Sequence, residues 1–114
     1  MTTQKKSAPA VAFQSNHDVA IHVPDLKIAE SFYAGVLGFH LVSKSEEQLH
    51  FDTGTFHLWI NRDATPKPFI PSFSVPDFDS AERHLKAAGC KTVTTGSATY
   101  FKDPFGFIFD VIEA

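Results

Sequence analysis

The clearest pattern of apolar and polar positions lies in residues 17–39, where a strand-like stretch leads into a helix-like one. Apolar and polar side chains alternate over residues 17–23, which is the period of a strand with one buried face. Pro24 ends this strand, and Asp25 is suited to cap the following helix because its carboxylate can accept a backbone N–H of the first turn. Gly38 closes the helix at a position that favours positive φ. The predicted buried face of the strand comprises Val19, Ile21 and Val23. That of the helix comprises Ile28, Phe32 and Val36, with Ala29, Tyr33 and Leu37 beside them.

Three more strands are predicted to complete this first unit. Residues 39–43 are apolar and partly β-branched, whereas residues 48–52 and 56–61 alternate on either side of a turn at residues 53–55. In both alternating strands the apolar side chains share one face, so the opposite face is polar or aromatic. That second face carries Gln48, His50, Asp52, His57, Trp59 and Asn61.

The same order of elements recurs after a Pro-rich segment at residues 62–68, which we interpret as a linker. Val75-Pro76-Asp77 repeats the Val-Pro-Asp of the first unit and again leads from a strand into a helical pattern. This helix is predicted over residues 79–88, with Asp79 and Glu82 as a capping box. The strands of the second unit are predicted at residues 69–75, 91–95, 98–102 and 107–112.

The repeat predicts one α+β domain over residues 17–113, built from two βαβββ modules, 17–61 and 69–113. The modules form curved mixed sheets with the helices on their outer faces. The second faces carry Trp59, Ile70, Ile108 and Ile112 and need cover, which we expect from another module facing the first across a groove. Any chemistry is expected on these second faces. Residues 1–16 are interpreted as a flexible tail, or as an added edge strand at residues 11–13.

Composition narrows the class of protein. The chain has 114 residues, the size of one domain, and its 12 Phe indicate an aromatic core or an aromatic pocket. The formal charge of −3 and the lack of a basic block argue against nucleic-acid binding. Cys90 is the only cysteine, which excludes an intrachain disulfide and is compatible with a reducing cytoplasm. No apolar run approaches the roughly 20 residues that a membrane helix needs.

Two stretches resemble a known family. HDVAIHVPDLKIAESFYAGVLGF (residues 17–39) resembles the opening module of the vicinal oxygen chelate superfamily, and YFKDPFGFIFDVIE (residues 100–113) resembles its closing hairpin. This superfamily includes glyoxalase I, bleomycin-resistance proteins, fosfomycin-resistance enzymes and extradiol dioxygenases. The resemblance implies paired βαβββ modules, a homodimer for a chain this short, and sites in the grooves of the sheets. It implies many activities as well, because this fold hosts unrelated functions.

In metal-dependent members of the family, a divalent ion is held by side chains of the first and last strands of a module. The first-strand ligand, usually His or Gln, matches Asp18, and its counterpart in the second half, often His, matches Ile70. The last-strand Glu matches Asp110, and the inward candidates on the fourth strand are His57 and Trp59. These are departures from the family pattern, because isoleucine cannot bind a metal and Asp is shorter than Glu by one methylene.

Two main hypotheses about function follow. The first is a metal-free protein that binds a small ligand, for which an aromatic ring is one option, in a groove at a dimer interface, with no cofactor. The second is a metal-dependent lyase, isomerase or dioxygenase that acts on a substrate with vicinal oxygens. In the second, Asp18, His57 and Asp110 would hold Zn, Ni, Mn or Fe, and Asp18 or Asp110 could serve as a catalytic base. A dimeric scaffold without a ligand is a third alternative. The predicted ligand-binding residues are His22, His50, His57, Trp59, Ile70, Ser72 and Ile108.

Overall fold

The computed structural model describes residues 11–95 and 98–114, which contain eight strands and two helical elements. The strands are β1 (Gln14–Val23), β2 (His40–Lys44), β3 (Gln48–Asp52), β4 (His57–Arg62), β5 (Lys67–Val75), β6 (Lys91–Thr95), β7 (Ala98–Lys102) and β8 (Ile108–Glu113). Helix α1 (Leu26–Glu30) continues as a π-helical segment, Ser31–Val36, and the second helix is α2 (Phe78–Ala87). The predicted α+β class and the repeated order of elements are confirmed. Neither helical element in these two ranges has the length and apolar character that crossing a membrane requires.

The two modules lie side by side in one eight-stranded sheet with the order β2-β3-β4-β1-β5-β8-β7-β6. Within each module the first strand runs parallel to the last, so that β1 pairs with β4 and β5 pairs with β8. Antiparallel pairing of β1 with β5 joins the modules and places Ala20 opposite Ile70. The two halves are thus joined edge to edge, and side chains of both also meet on one face of the sheet, where His22 of β1 contacts Tyr100 of β7. Edge pairing satisfies backbone groups that β1 and β5 would otherwise leave exposed.

The ends of the modules differ from the predicted ones. Strand β1 begins at Gln14 and β5 at Lys67, so the linker between the modules shortens to residues 63–66. Residues 11–13 form no strand; Val11 and Phe13 instead pack, partly buried, against the core of the second module. The remainder of the predicted tail, residues 1–10, and the turn predicted around Gly96 lie outside the described residues.

Strand β1 contains a bulge at His17, whose φ is +70°, in the left-handed region. The register with β5 shifts between Ser15 and Val19. The Oδ1 atom of Asn16 accepts the backbone N–H of Asp18 at 3.0 Å and so spans the bulged residue. A bulge bends a strand and re-aims its side chains, and here it does so immediately before Asp18.

Each module buries its own apolar core between the sheet and its helix. The fully buried side chains are Leu49, Phe51, Leu58 and Ile60 in the first module and Val75 and Phe101 in the second. The predicted buried face of α1 is right only in part: Ala29 is buried and Tyr33 packs against the core, whereas Ile28 and Val36 are 69% and 70% exposed and Phe32 is 46% exposed. Leu26, which the pattern did not assign to this face, is buried beside Ala29. This helix has apolar residues on two faces, and the face that begins with Leu26 docks on the sheet.

The caps of the two helices differ in how well the sequence predicts them. Asp25 caps α1 as predicted, with its carboxylate accepting the backbone N–H groups of Lys27 and Ile28. Helix α2 begins one residue earlier than predicted, and its N-cap is Asp77 rather than Asp79. The first free N–H of α2, that of Phe78, is bound by the carboxylate of Glu113 from β8 at 2.8 Å. A long-range carboxylate thus replaces the predicted capping box.

Candidate functional site

A groove of about 380 Å³ lies on the face of the sheet opposite the helices, where β1 and β5 join the modules. Alternation along the strands places one set of side chains in this groove and the other set in the two cores. Among the predicted residues, five line the groove, namely Asp18, Trp59, Ile70, Ser72 and Asp110. Further polar lining comes from Gln48, Asn61, Thr99 and Tyr100. The groove lies within one chain, between its two modules.

The two carboxylates of the groove are both hydrogen-bonded. The indole N–H of Trp59 donates to Asp18 at 3.0 Å. The hydroxyl of Ser72 donates to Asp110 at 3.3 Å, and the amide of Asn16 donates in turn to the Ser72 oxygen at 2.9 Å. Burial raises the pKa of Asp110, and the charge of Asp18 acts in the same direction against the hydrogen bond from Ser72. The charges of the two carboxylates therefore interact across the groove.

The residues at the family's metal positions do not fit a divalent ion in this arrangement. Ile70, at the position often occupied by His, is 2% exposed and offers no donor atom. His57 is hydrogen-bonded to His50 at 2.7 Å between Nδ1 and Nε2. Within residues 11–95 and 98–114, no three or more His, Cys, Asp and Glu side chains are arranged so that they could hold a metal. Asp18 and Asp110 thus face the groove without a third ligand.

His22 is not among the residues that line the groove, but it contacts one of them, Tyr100. Its side chain is 3% exposed, its Nε2 atom is 2.9 Å from the hydroxyl of Tyr100, and its Nδ1 atom is 3.1 Å from a carboxylate oxygen of Asp63. Lys67 donates to the same oxygen of Asp63 at 3.3 Å. Burial lowers the pKa of His22, although the hydrogen bond and charge of Asp63 oppose this. A neutral ring is therefore favoured.

This geometry assigns a direction to the hydrogen bonds. A carboxylate can only accept, so the Nδ1 atom of neutral His22 carries the proton and donates to Asp63. The Nε2 atom then accepts, which means that the hydroxyl of Tyr100 donates a hydrogen bond to His22. Burial raises the pKa of Tyr100, and the charges of Asp110 and Asp63 raise it further, so that Tyr100 remains a neutral phenol.

A second chain of hydrogen bonds reaches Tyr100 from β3 and β4. The side-chain amide of Gln48 donates to the carbonyl oxygen of Asn61 at 2.8 Å. The NH₂ group of Asn61 is therefore the part that remains to donate, and the Asn61 side chain is hydrogen-bonded to Tyr100. The Tyr100 oxygen accepts this hydrogen bond, and its O–H group donates a hydrogen bond to His22. Toward the groove it can only accept.

His50, His57 and Trp59 form a cluster on the first module. The ring of His50 stacks on Trp59, with centroids 3.7 Å apart and planes 11° from parallel, and it bonds to His57. Burial, followed by the charge of His57, lowers the pKa of His50. His50 thus covers one face of Trp59 and is itself held by His57, and neither histidine lines the groove. The remaining predicted residue, Ile108, lines a neighbouring cavity of about 480 Å³ together with Phe69 and Phe107.

Sequence reasoning missed two residues that shape the groove, Tyr100 and Asp63. Tyr100 precedes the Asp-Pro-Phe-Gly turn within the stretch that carries the family resemblance, and its strand parity places it on the second face. That parity was an available signal. Asp63 lies in a segment interpreted as a linker, and only the fold brings it against His22. A larger cavity of about 590 Å³ lies away from these residues, among the ion pairs of Lys44 and Arg62 with Glu30 and Glu47.

Comparisons with known proteins agree with the fold. Residues 15–111 match the family model of the Glyoxalase/Bleomycin resistance protein/Dioxygenase superfamily. The catechol-2,3-dioxygenase of Bacillus subtilis (strain 168) is 31% identical over 103 residues, which cover 75% of this chain and 36% of that protein. A substrate complex of homoprotocatechuate 2,3-dioxygenase from Brevibacterium fuscum with 3,4-dihydroxyphenylacetate is 25% identical, with a TM-score of 0.69, over 95% of this chain and 39% of that one. A variant of the same enzyme in complex with HPCA has a TM-score of 0.70 at 25% identity, over 95% of this chain and 34% of that one. The chain thus spans little more than a third of the length of these relatives.

Proposed function

Because this chain belongs to the glyoxalase/bleomycin resistance protein/dioxygenase superfamily, we propose that it binds a small hydroxylated aromatic molecule in the groove between its modules, without a resident metal ion. The observation that carries this proposal is the lining of the groove, in which the flat indole of Trp59 stands beside three hydrogen-bonding side chains: Asp18, Tyr100 and Asp110. A mostly preformed cleft with few fixed polar groups is typical of small-molecule sites.

Each lining residue has a distinct part in binding. The indole of Trp59 is held by the ring of His50 on one side and by its hydrogen bond to Asp18, so it offers a rigid aromatic surface. The oxygen of Tyr100 accepts a hydrogen bond from a ligand hydroxyl, and Asp18 can accept another. Ile70 supplies apolar contact at the floor of the groove, where it is almost fully buried. The relatives support a ligand with neighbouring hydroxyls, since their names specify catechol and homoprotocatechuate.

Calorimetric titration with catechol under anaerobic conditions tests this proposal. Ala20 lines the groove on β1, and Ala20→Phe is expected to fill it and weaken catechol binding at least about tenfold. Ala64→Phe, in the exposed linker, is the matched control and should leave affinity unchanged. Trp59 is the only tryptophan, so its fluorescence reports whether the ligand enters this groove. Absence of catechol binding to the unaltered protein, or equal binding to both variants, would count against the proposal.

A second candidate function is a metal-dependent dioxygenase, and the relatives favour it over the metal-free proposal, at low sequence identity. Against it stand Ile70 and the missing third ligand. Where metal is present, a dioxygenase consumes oxygen and cleaves the ring of a diphenol. The test is oxygen uptake with catechol after incubation with Fe²⁺ or Mn²⁺, together with the melting temperature, because an ion bound to the folded state must raise it. Turnover with either ion would replace the metal-free proposal with this one.

A further inference from the structure

The groove carries charge of one sign. Asp18 and Asp110 both line it, and among the described residues that line it there is no Lys or Arg. The nearby Lys67 donates to Asp63, behind Tyr100. His50, which stacks on Trp59, has a pKa lowered by burial and is favoured as a neutral ring. An anion that entered this groove would therefore meet two carboxylates and no compensating cation.

Four of the polar side chains that line the groove present mainly hydrogen-bond acceptors to a ligand. The Tyr100 proton is committed to His22, so its oxygen accepts, and the Asn61 amide already donates to that oxygen. The indole N–H of Trp59 and the hydroxyl of Ser72 are both committed to the groove carboxylates. The donors contributed by these four side chains are thus largely satisfied within the protein, whereas acceptor oxygens remain available. A ligand that donates hydrogen bonds is therefore favoured over one that accepts them.

From the charge and the direction of these hydrogen bonds, we infer that the groove selects a hydroxylated aromatic amine over the corresponding carboxylic acid. This inference rests on the proposed function, because it names the class of ligand for the same groove. The ammonium group would pair with Asp18, and its charge can also interact with the face of the Trp59 indole. A carboxylate on the same ring would be repelled by Asp18 and would find the donors of Trp59, Ser72 and Tyr100 already engaged.

Two commercially available diphenols form a matched pair for the test: 3,4-dihydroxyphenethylamine and 3,4-dihydroxyphenylacetate. They share the ring and both hydroxyls and differ in the sign of the side-chain charge. Calorimetric titration of the whole chain near neutral pH, under anaerobic conditions, is expected to give at least about tenfold tighter binding of the amine. Added salt should reduce this preference, because a charge interaction in a partly open groove is screened.

The source of the preference is tested with Asp18→Asn. Asparagine retains an oxygen that can accept the Trp59 indole N–H, but it removes the charge. The amine is expected to lose about tenfold in affinity, whereas the acid should keep or gain affinity. Asp79→Asn, on the exposed first turn of α2, removes the same charge far from the groove and should change neither affinity.

The outcomes separate this inference from the proposal on which it rests. Tighter binding of the amine that Asp18→Asn abolishes supports both. Equal affinity for amine and acid, or tighter binding of the acid, overturns the inference and leaves the proposed function standing. An unchanged preference in Asp18→Asn also overturns it, because the selectivity would then arise elsewhere. If neither compound nor catechol binds, the proposed function fails and the inference fails with it.

Discussion

The Nε2 atom of His22 lies 2.9 Å from the hydroxyl of Tyr100, which lines the groove between the two modules. His22 is on β1 of the first module and Tyr100 on β7 of the second, so this bond links residues 78 positions apart. Asp63 holds the other ring nitrogen. This hydrogen bond therefore connects the two modules and fixes the orientation of Tyr100 in the groove. Each partner also satisfies the other's buried polar atom.

Removing the Tyr100 hydroxyl should cost stability. In Tyr100→Phe, the Nε2 atom of His22 loses its donor at a site that is 3% exposed, and an unsatisfied buried polar atom typically costs about 1–3 kcal/mol. Denaturant unfolding of the variant and of the original chain measures the difference. Tyr33→Phe, in the first module, makes the same chemical change and is the control. Equal losses in both variants would contradict the assigned role of the bond.

The carboxyl of Asp110 should make stability depend on pH in an unusual direction. Burial raises its pKa in the folded protein above the ordinary value, so the folded state binds this proton more readily than the unfolded state. The stabilisation of the folded state that this carboxyl contributes is fully present below pH 3.8, its ordinary pKa. It is lost as the pH rises through the pKa that the group has in the folded state. Asp110→Asn does not titrate, and it is expected to raise the melting temperature near neutral pH but not in acid.

The comparison of melting temperatures for Asp110→Asn needs a control for the general effect of acid. Asp103→Asn is unsuitable, because the Asp103 carboxylate holds the turn before β8 by accepting the backbone N–H groups of Phe105 and Phe107, both at 2.9 Å. Asp79→Asn, on the surface of α2, is the better choice. If the difference between Asp110→Asn and the original chain is the same at acid and neutral pH, the proposed burial of an ionisable carboxyl is wrong.

The helix α1 offers a direct test of which face docks on the sheet. Leu26 is 9% exposed and lies in the first core, whereas Ile28, two residues on, is 69% exposed. Leu26→Ala is expected to destabilise the protein by about 2–5 kcal/mol, the usual range for truncating a buried leucine. Ile28→Ala should change stability by less than about 0.5 kcal/mol. Chemical denaturation of the two variants is the measurement, and the reverse order of effects would restore the face predicted from sequence.

Local patterns in the sequence predicted the elements and the cap of α1, because those depend on neighbours within a turn. Alternation identified the strands around Leu49 and Leu58, and Asp25 binds the first turn as its chemistry requires. The choice between the two apolar faces of α1 could not be made from periodicity. Both faces satisfy a helical period, and only the sheet decides that Leu26 rather than Ile28 is buried.

The sequence predicted only part of the groove, because the rest depends on the pairing of strands that are distant in the chain. Strand parity correctly separates Trp59 and Asp18 from the core, and the two residues are hydrogen-bonded in the structure. Pairing between strands of different modules is a long-range property. Strand parity alone could place Tyr100 on the second face, but only the fold brings Tyr100 and Asp63 to His22. The antiparallel joining of β1 and β5 likewise cannot be read from the repeat, which is equally compatible with modules that face each other.

Two substitutions are expected to create a metal site where the present residues do not fit one. Ile70→His supplies an imidazole at the position where the family often has histidine, and Asp110→Glu restores the longer carboxylate. Together with Asp18 they would offer one nitrogen and two carboxylate ligands, a set suited to Mn²⁺ or Fe²⁺. At a Mn²⁺ concentration a hundredfold above Kd, binding would stabilise the folded state by about 2.7 kcal/mol. The double variant should therefore melt several degrees higher with Mn²⁺, whereas the original chain and Asp110→Glu alone should not respond. A rise of equal size in the original chain would mean that its own residues already hold the ion, and the metal-free proposal would have to be abandoned.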